Sequence, residues 1–177
     1  MKYGVHAAEN VNHIIQRKKN EIMVCGEMFW GYGGTICHPF KQVQPFINQN
    51  LENGEDTYLF LSRTNSDFEG NNNSATVMST NGFEWEILPR GVHIYSSKYA
   101  LVCNSLEAVD REIDLSEYVV GVGNSTGKQL SEYVRGRVDK GCGRLIANTG
   151  QLSKQTSKEY NIRITYIAKV INAVMVK

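Results

Sequence analysis

Residues 76–88, TVMSTNGFEWEIL, contain the clearest local signal of secondary structure in the chain. The dipeptide Asn81-Gly82 separates two strand-like runs, and it tolerates the positive φ angles that a type I′ hairpin turn requires. Alternation along the second run predicts one core face and one solvent face. The predicted core face is Phe83, Trp85 and Ile87, and the predicted solvent face is Glu84 and Glu86.

Further strand-like runs lie on both sides of this hairpin. Residues 57–61, 92–95 and 99–103 are short and rich in aromatic and aliphatic side chains, which is typical of strands. The two strands of the hairpin and the runs 92–95 and 99–103 are four consecutive short strands, which favours an antiparallel meander. The mostly alternating, β-branched residues 162–176 predict one long strand or two short ones. The short apolar run 22–25, IMVC, predicts another buried strand.

Three segments have the apolar spacing of helices. The first places apolar residues at positions 7, 11, 14 and 15 and is expected to stop at Asn20. The second contains Pro45 in its first turn, and the third follows Thr126 and Gln129, which have capping-box spacing. Residues 106–117 are predicted to be helical or irregular. The sequence therefore predicts an α+β fold, with a mainly antiparallel sheet and about three helices, in a single compact domain spanning residues 1–177.

Composition limits the functional classes that fit the chain. The 177 residues carry a formal net charge of +1, which argues against a dedicated binder of long nucleic acids because such proteins neutralise many phosphates with Lys and Arg. No secretion signal or membrane-spanning run is apparent. The four scattered cysteines predict free thiols in the cytoplasm, and neither a metal site nor a cofactor is expected.

A glycine-rich loop between a predicted strand (residues 118–122) and the third helix is a candidate ligand site. Unpaired N–H groups at a helix start favour anions, and Lys128 adds a charge. The loop fails the phosphate-loop pattern, since Val122 and Gln129 occupy positions that require Gly and Ser or Thr. A plain turn into a capped helix is the alternative. The candidate contacts are Gly123, Asn124, Ser125, Thr126 and Lys128.

An aromatic and glycine-rich stretch at residues 29–34, FWGYGG, is a second candidate. Glycines weaken a core strand, whereas exposed aromatic faces stack on nucleobases. The alternative is a hairpin turn whose aromatic rings only cover the core. The candidate contacts are Trp30, Tyr32, Gly33 and Gly34.

Four cations within residues 135–144 form a third candidate, a clamp for phosphate groups. The alternative is the solvated end of a helix. The candidate contacts are Arg135, Arg137, Lys140 and Arg144.

Catalytic patterns are weaker than these binding patterns. Cys37 and His38 are neighbours in sequence, but a nucleophile and its base must meet in space with a third, orienting group. Glu84 and Glu86 share a strand face and could act as acid and base, although a solvated face is the usual explanation. A small nucleotide- or acyl-processing hydrolase that uses His38 with Cys37 or a glutamate is therefore the alternative function, and His38 is also a candidate ligand contact.

Several of these segments together resemble a known group of viral proteins. They are FWGYGG (29–34), CHP (37–39), VQPF (43–46) and the region 121–144. They are similar to small bacteriophage sponge proteins of the anti-CBASS type, which sequester cyclic nucleotide signals of bacterial immunity. The resemblance implies an α+β fold, homo-oligomeric assembly, and a pocket that holds a cyclic dinucleotide without cleaving it.

The sequence thus predicts a non-catalytic receptor for a small phosphorylated ligand, with a cyclic dinucleotide as the leading candidate and counter-defence in the host cytoplasm as its role. A cyclic dinucleotide has approximate twofold symmetry, which matches the commonest symmetry of homodimers. We expect the ligand at or near an interface between two copies, in contact with Trp30 or Tyr32 and with the loop 123–128.

Overall fold

The computed structural model describes residues 1–32, 38–68, 70–134, 140–146 and 160–177. Within these ranges the elements follow one another as β1 (Lys2–His6), α1 (Val11–Cys25), β2 (Met28–Tyr32), α2 (Phe40–Glu52), β3 (Thr57–Phe68), β4 (Val77–Ser79), β5 (Glu86–Ile87), β6 (Tyr99–Cys103), β7 (Glu107–Asp114), β8 (Tyr118–Val120), α3 (Leu130–Tyr133), β9 (Gly143–Leu145) and β10 (Asn161–Val176). Two 3-10 turns, Leu115–Glu117 and Gly123–Ser125, precede β8 and α3.

The long strand β10 is the centre of the main sheet. Four strands pair directly with β10, and all are antiparallel to it. On one side, β7 pairs with its first half and β6 with its second half, and on the other side β3 is followed along β10 by β4. Three further strands extend this arrangement, because β2 pairs with β6, β5 pairs with β4, and β1 pairs in parallel with β3. The predicted α+β class, mainly antiparallel with three helices, is confirmed, as is the strand at the C-terminus.

The connections between strands differ from the predicted meander. β4 and β5 pair with each other, but β6 does not pair with β5 and instead lies between β10 and β2. Residues 92–95 are not a strand, and Val92 and Ile94 instead cover the second face of the sheet. Residues 107–114 form β7 rather than a helix. Most side chains of β7 are exposed and charged, so its sequence lacks the alternation of apolar and polar residues that identifies a half-buried strand.

Buried side chains form three clusters. The main cluster joins α1 and α2 to one face of the sheet, through residues such as Ile15, Ile47 and Leu61. The second fills the opposite face around Phe29. The third surrounds the small β8–β9 sheet and α3, where Leu130 is buried. None of the helices in the described ranges has the length and apolar character needed to cross a membrane.

Helix α1 extends five residues beyond the predicted stop. It begins after Asn10, whose side chain accepts a hydrogen bond from the His13 N–H, and it ends at Gly26, which has a left-handed φ of 80°. The apolar run 22–25 is therefore its last turn and not a strand. Met23 and Val24 are 76% and 69% exposed, so this run is apolar without being buried.

The hairpin at residues 76–88 has a longer loop than the type I′ turn that Asn81-Gly82 predicts. β4 and β5 pair at Val77–Ile87, and the Asn81 side chain accepts hydrogen bonds from the N–H groups of Phe83 and Glu84. This local bonding holds residues 80–85 out of the strand ladder. The predicted core face is wrong at Phe83 and Ile87, which are 89% and 83% exposed. The predicted exposure of Glu84 and Glu86 is confirmed.

The thiols also follow the prediction where the structure describes them. Cys25, Cys103 and Cys142 are free, while Cys37 lies outside the described residues.

A buried ionic network links α1 to β2 and to the loop that precedes β6. The Lys18 ammonium donates to both oxygens of Glu21, at 2.8 and 2.9 Å, and to the Phe29 carbonyl at 2.5 Å. Arg17 binds Glu21 at 3.2 Å and Glu9 at 2.6 Å. Lys18 and Glu21 are only 3% and 1% exposed. A pair at this depth persists because each charge is compensated by hydrogen bonds.

Burial lowers the pKa of Lys18 from 10.5 to about 8, although Glu21 partly offsets this effect. The folded protein then releases this proton at a lower pH than the unfolded chain does. Between pH 8 and 10.5 the unfolded state binds more protons, so the free energy of unfolding should rise with pH over this window. We expect urea titrations to show wild type gaining stability relative to Lys18→Met from pH 8 to 10.5. A constant or falling difference would contradict the assignment.

Candidate functional site

A cavity of about 170 Å³ lies where the main core meets the third cluster. Helix α2 and strand β3 form one wall, and β8, α3 and the chain before β9 form another. Six aromatic residues line it, namely Tyr32, Phe46, Tyr58, Phe60, Tyr118 and Tyr160. Because its walls are mostly apolar and aromatic, the cavity suits a planar apolar group.

A few polar side chains also reach the cavity. Lys2 and Lys140 line it together with Thr57 and Ser62. The Lys140 ammonium lies 5.5 Å from the centre of the Tyr32 ring, which is within the range of a cation–π contact. These groups can orient a ligand that carries a negative charge, since ammonium groups bind anions as point charges.

Glycines let the two walls approach each other closely. A Cβ atom at Gly143 would lie 2.6 Å from Leu130 Cδ2, and one at Gly121 would lie 2.8 Å from Phe46 Cε2. Both Leu130 and Phe46 line the cavity. The absence of a side chain at Gly121 and Gly143 therefore lets these walls lie close together.

The Cys142 thiol also lines the cavity. Burial raises its pKa to about 12, and the nearby Arg144 only partly offsets this. The thiol is therefore protonated at neutral pH and is a poor nucleophile.

The predicted glycine loop lies away from the cavity lining. The Thr126 hydroxyl donates to the Gly123 carbonyl at 2.6 Å, and the Gly127 N–H donates to the Val120 carbonyl at 2.9 Å. These bonds close the loop on itself and leave the side chains of Asn124, Thr126 and Lys128 exposed, with Ser125 partly exposed. The predicted capping box is absent, because α3 begins at Leu130 with Gln129 rather than Thr126 as its N-cap, and no side-chain cap hydrogen bond forms. The following helix has only four residues, so it provides no N-terminal anion site.

The two aromatic residues of the second candidate have separate environments. Trp30 is 5% exposed and lies in the main core, where its ring meets Tyr3 edge to face at 6.0 Å. In this position the ring has almost no exposed face on which a ligand could stack, contrary to the expectation that it forms an open platform. Tyr32 lines the cavity and packs against Tyr99. Its predicted partners Gly33 and Gly34 lie outside the described residues.

The cations of the basic segment 135–144 also differ in their environments. Lys140 lines the cavity. Arg144 does not, because its guanidinium donates to Glu55 at 3.1 Å and to Asn50 at 2.9 Å. These bonds tie β9 to the end of α2 and give Arg144 a structural role. Arg135 and Arg137 lie outside the described residues.

His38 is buried, and its partners do not form a catalytic set. Its ring stacks on Tyr133, and its Nε2 has no hydrogen-bond partner among the described residues. Burial lowers the pKa of this imidazole. Glu84 accepts a hydrogen bond from Asn81 in the β4–β5 loop, and Cys37 lies outside the described residues. The described part of the chain therefore brings no carboxylate to His38.

Most of the cavity lining was missed by sequence reasoning. Tyr58, Tyr118 and Tyr160 come from separate elements, and no local motif connects them. The one available signal was the abundance of tyrosine, nine residues in the chain. Groups of three or more side chains suited to hold a metal ion are absent from the described residues.

The fold and the cavity together define an α+β protein with an aromatic-lined site. In comparisons with protein-family models, with curated proteins and with solved structures, the chain matches none.

Proposed function

We propose that the protein is a non-catalytic receptor for a small phosphorylated ligand, whose base occupies the aromatic cavity. The observation that carries this proposal is the combination of six aromatic side chains with Lys2 and Lys140 around one cavity. Aromatic side chains contribute about 1–3 kcal/mol per stacked base. The lysines provide charge for a phosphate attached to that base.

The size of the cavity supports a small base. An apolar cavity of about 150 Å³ holds one benzene molecule, and this cavity measures about 170 Å³. A pyrimidine therefore fits more easily than a purine. A cyclic dinucleotide is too large to enter as a whole, because pockets that enclose drug-sized molecules measure about 300–1,000 Å³. Its two bases would occupy one cavity in each of two protein copies.

Such a receptor acts by lowering the free concentration of its ligand. A cyclic dinucleotide with a pyrimidine base is the leading candidate, and removal of that signal from the cytoplasm of a bacterial host is the proposed role in counter-defence. The protonated Cys142 thiol favours retention of the ligand over attack on it.

The direct test is to incubate the protein with linear and cyclic nucleotides that carry pyrimidine or purine bases. The free ligand is measured by mass spectrometry before and after heat denaturation of the protein. We expect a pyrimidine nucleotide to be depleted and then recovered intact. Recovery of a cleaved product would make the protein an enzyme, and a failure to deplete any nucleotide would reject the nucleotide proposal.

Two variants link this binding to the cavity. Cys142→Phe adds a ring to the cavity wall and should reduce affinity by at least tenfold, as should Lys140→Ala through the loss of a charge-assisted contact of about 1.5–3 kcal/mol. Lys128→Ala is the matched control, since Lys128 is an exposed lysine outside the cavity lining. Equal affinities for all three variants and wild type would place the ligand elsewhere.

A further inference from the structure

A chain of hydrogen bonds runs from the surface of β9 through α2 to the cavity. The Arg144 guanidinium donates to Asn50 Oδ1 at 2.9 Å, and Asn50 Nδ2 donates to Thr57 Oγ1 at 3.0 Å. Asn50 is only 5% exposed, and Thr57 is one of the residues that line the cavity. The chain therefore connects a charged side chain to a hydroxyl group at the candidate site.

The direction of these hydrogen bonds is fixed by Arg144. A guanidinium group has donors and no acceptor, so the Asn50 atom that faces it must be the oxygen. The amide nitrogen of Asn50 then faces Thr57 and donates to the hydroxyl oxygen. Arg144 is itself held by Glu55 at 3.1 Å and by the Phe46 ring, whose centre lies 5.2 Å from the guanidinium carbon. The amide of Asn50 therefore has one orientation.

The Thr57 hydroxyl is left with a hydrogen to donate. Its oxygen accepts from Asn50, and in the part of the chain that the structure describes no oxygen accepts a hydrogen bond from it. A hydroxyl group carries one hydrogen, which rotates to meet an acceptor. An acceptor oxygen on a ligand in the cavity completes the hydrogen bonding of this group.

The position of Thr57 indicates which part of a nucleotide it contacts. Lys2 lines the cavity and pairs with Ser62. Ser62 lies five residues beyond Thr57 on β3, which is roughly 16 Å along the strand. A nucleotide with its phosphate near Lys2 therefore directs the far edge of its base toward Thr57. In a pyrimidine nucleotide that edge carries the C4 group, because C4 lies across the ring from the atom that bonds the sugar.

The C4 group distinguishes uracil from cytosine. Uracil, like thymine, carries a carbonyl oxygen there, which is an acceptor, whereas cytosine carries an amino group, which is a donor. The Thr57 hydrogen therefore meets an acceptor only when the base is uracil. A donor that loses its water without gaining an acceptor raises the free energy of the complex, so cytosine should bind less tightly.

We propose that Thr57 determines base specificity by donating a hydrogen bond to the C4 carbonyl oxygen of a uracil nucleotide, and that Asn50 is the positioning residue that keeps this hydroxyl a donor. The inference rests on the proposed function, because it concerns a ligand in the same cavity. It narrows the ligand class from pyrimidine nucleotides to uracil nucleotides.

Isothermal titration calorimetry with uridine monophosphate and cytidine monophosphate tests the specificity on the full chain. We expect wild type to bind the uridine nucleotide about tenfold more tightly, the scale of one unsatisfied hydrogen-bonding group. Thr57→Val removes the hydroxyl and should abolish the preference, whereas Thr57→Ser should keep it. Thr64→Val is the matched control, because Thr64 lies on the same strand but outside the cavity lining. It should show the wild-type preference.

Asn50→Asp separates a positioning role from a purely structural one. The carboxylate still accepts from Arg144, but it presents an acceptor to Thr57 in place of the amide donor. The Thr57 hydroxyl then donates to this carboxylate and turns its lone pairs toward the cavity, where the amino group of cytosine can donate to them. We expect the preference to shift toward the cytidine nucleotide, and circular dichroism verifies that the variant is folded.

Three results would each overturn this inference while leaving the proposed function in place. They are equal affinities of wild type for the two nucleotides, a Thr57→Val variant that keeps the preference, and a folded Asn50→Asp variant with the wild-type preference. If wild type bound neither nucleotide, the inference would also fail, and the wider panel of nucleotides would then decide the proposed function.

Discussion

Glu21→Ala is expected to lower the free energy of unfolding by about 3–5 kcal/mol, the scale for removing one partner of a buried ion pair. The Glu21 carboxylate accepts hydrogen bonds from Lys18, from Arg17, and from the N–H groups of Phe29 and His93. Its loss leaves a buried ammonium without a countercharge and two backbone donors without an acceptor. Urea denaturation followed by circular dichroism measures the effect.

The control for this variant is Glu52→Ala, which removes an exposed glutamate from the end of α2. It should change stability by about 0.5 kcal/mol or less. Lys18→Met should cost less than Glu21→Ala, because Arg17 still compensates the carboxylate. If Glu21→Ala were as stable as Glu52→Ala, the network would have no role in stability.

Trp30→Ala is expected to cost about 3–5 kcal/mol, the usual range for removing a large aromatic side chain from a core. Trp30 is 5% exposed and packs in the main cluster. Phe83→Ala is the aromatic control and should cost about 0.5 kcal/mol or less, because Phe83 is 89% exposed. Urea denaturation of both variants gives the comparison.

The same pair of variants separates a core role from a ligand role. If Trp30 were a stacking platform on the surface, Trp30→Ala would keep its stability and lose ligand affinity. We expect instead that the main effect of Trp30→Ala is a lower free energy of unfolding. A Phe83→Ala variant as unstable as Trp30→Ala would show that the hairpin packs against the core, as the alternation of its residues had indicated.

Local pattern predicted the fold class and several of its parts. The alternation of residues 162–176 gave the strand β10, and the helical spacing of Val11, Ile14 and Ile15 placed α1. The hairpin was located correctly, with both glutamates on the solvent side. Its apolar residues were misplaced because alternation assumes a continuous strand, whereas the Asn81 side chain binds the backbone and interrupts it.

The candidate site was predicted only in part. Tyr32 and Lys140 were named from separate motifs, and the structure brings both to one cavity. Trp30 and Arg144 were named from the same motifs, but a core contact and two hydrogen bonds engage them instead. A motif records which residue types are neighbours in sequence, and it does not record which side of the backbone faces a neighbouring element.

The sequence by itself determined that the protein is α+β, with a mostly antiparallel sheet and three helices. These properties depend on periodicity and on residue propensity within short segments. Only the tertiary structure decided that β10 lies at the centre and that Lys18 and Glu21 are buried. It also decided that four tyrosines, from three strands and one connection, line the same cavity. Those features depend on contacts between residues far apart in the chain. Their stability comes from closing long loops against conformational entropy and from burying shared surface, and neither quantity is contained in a local window of sequence.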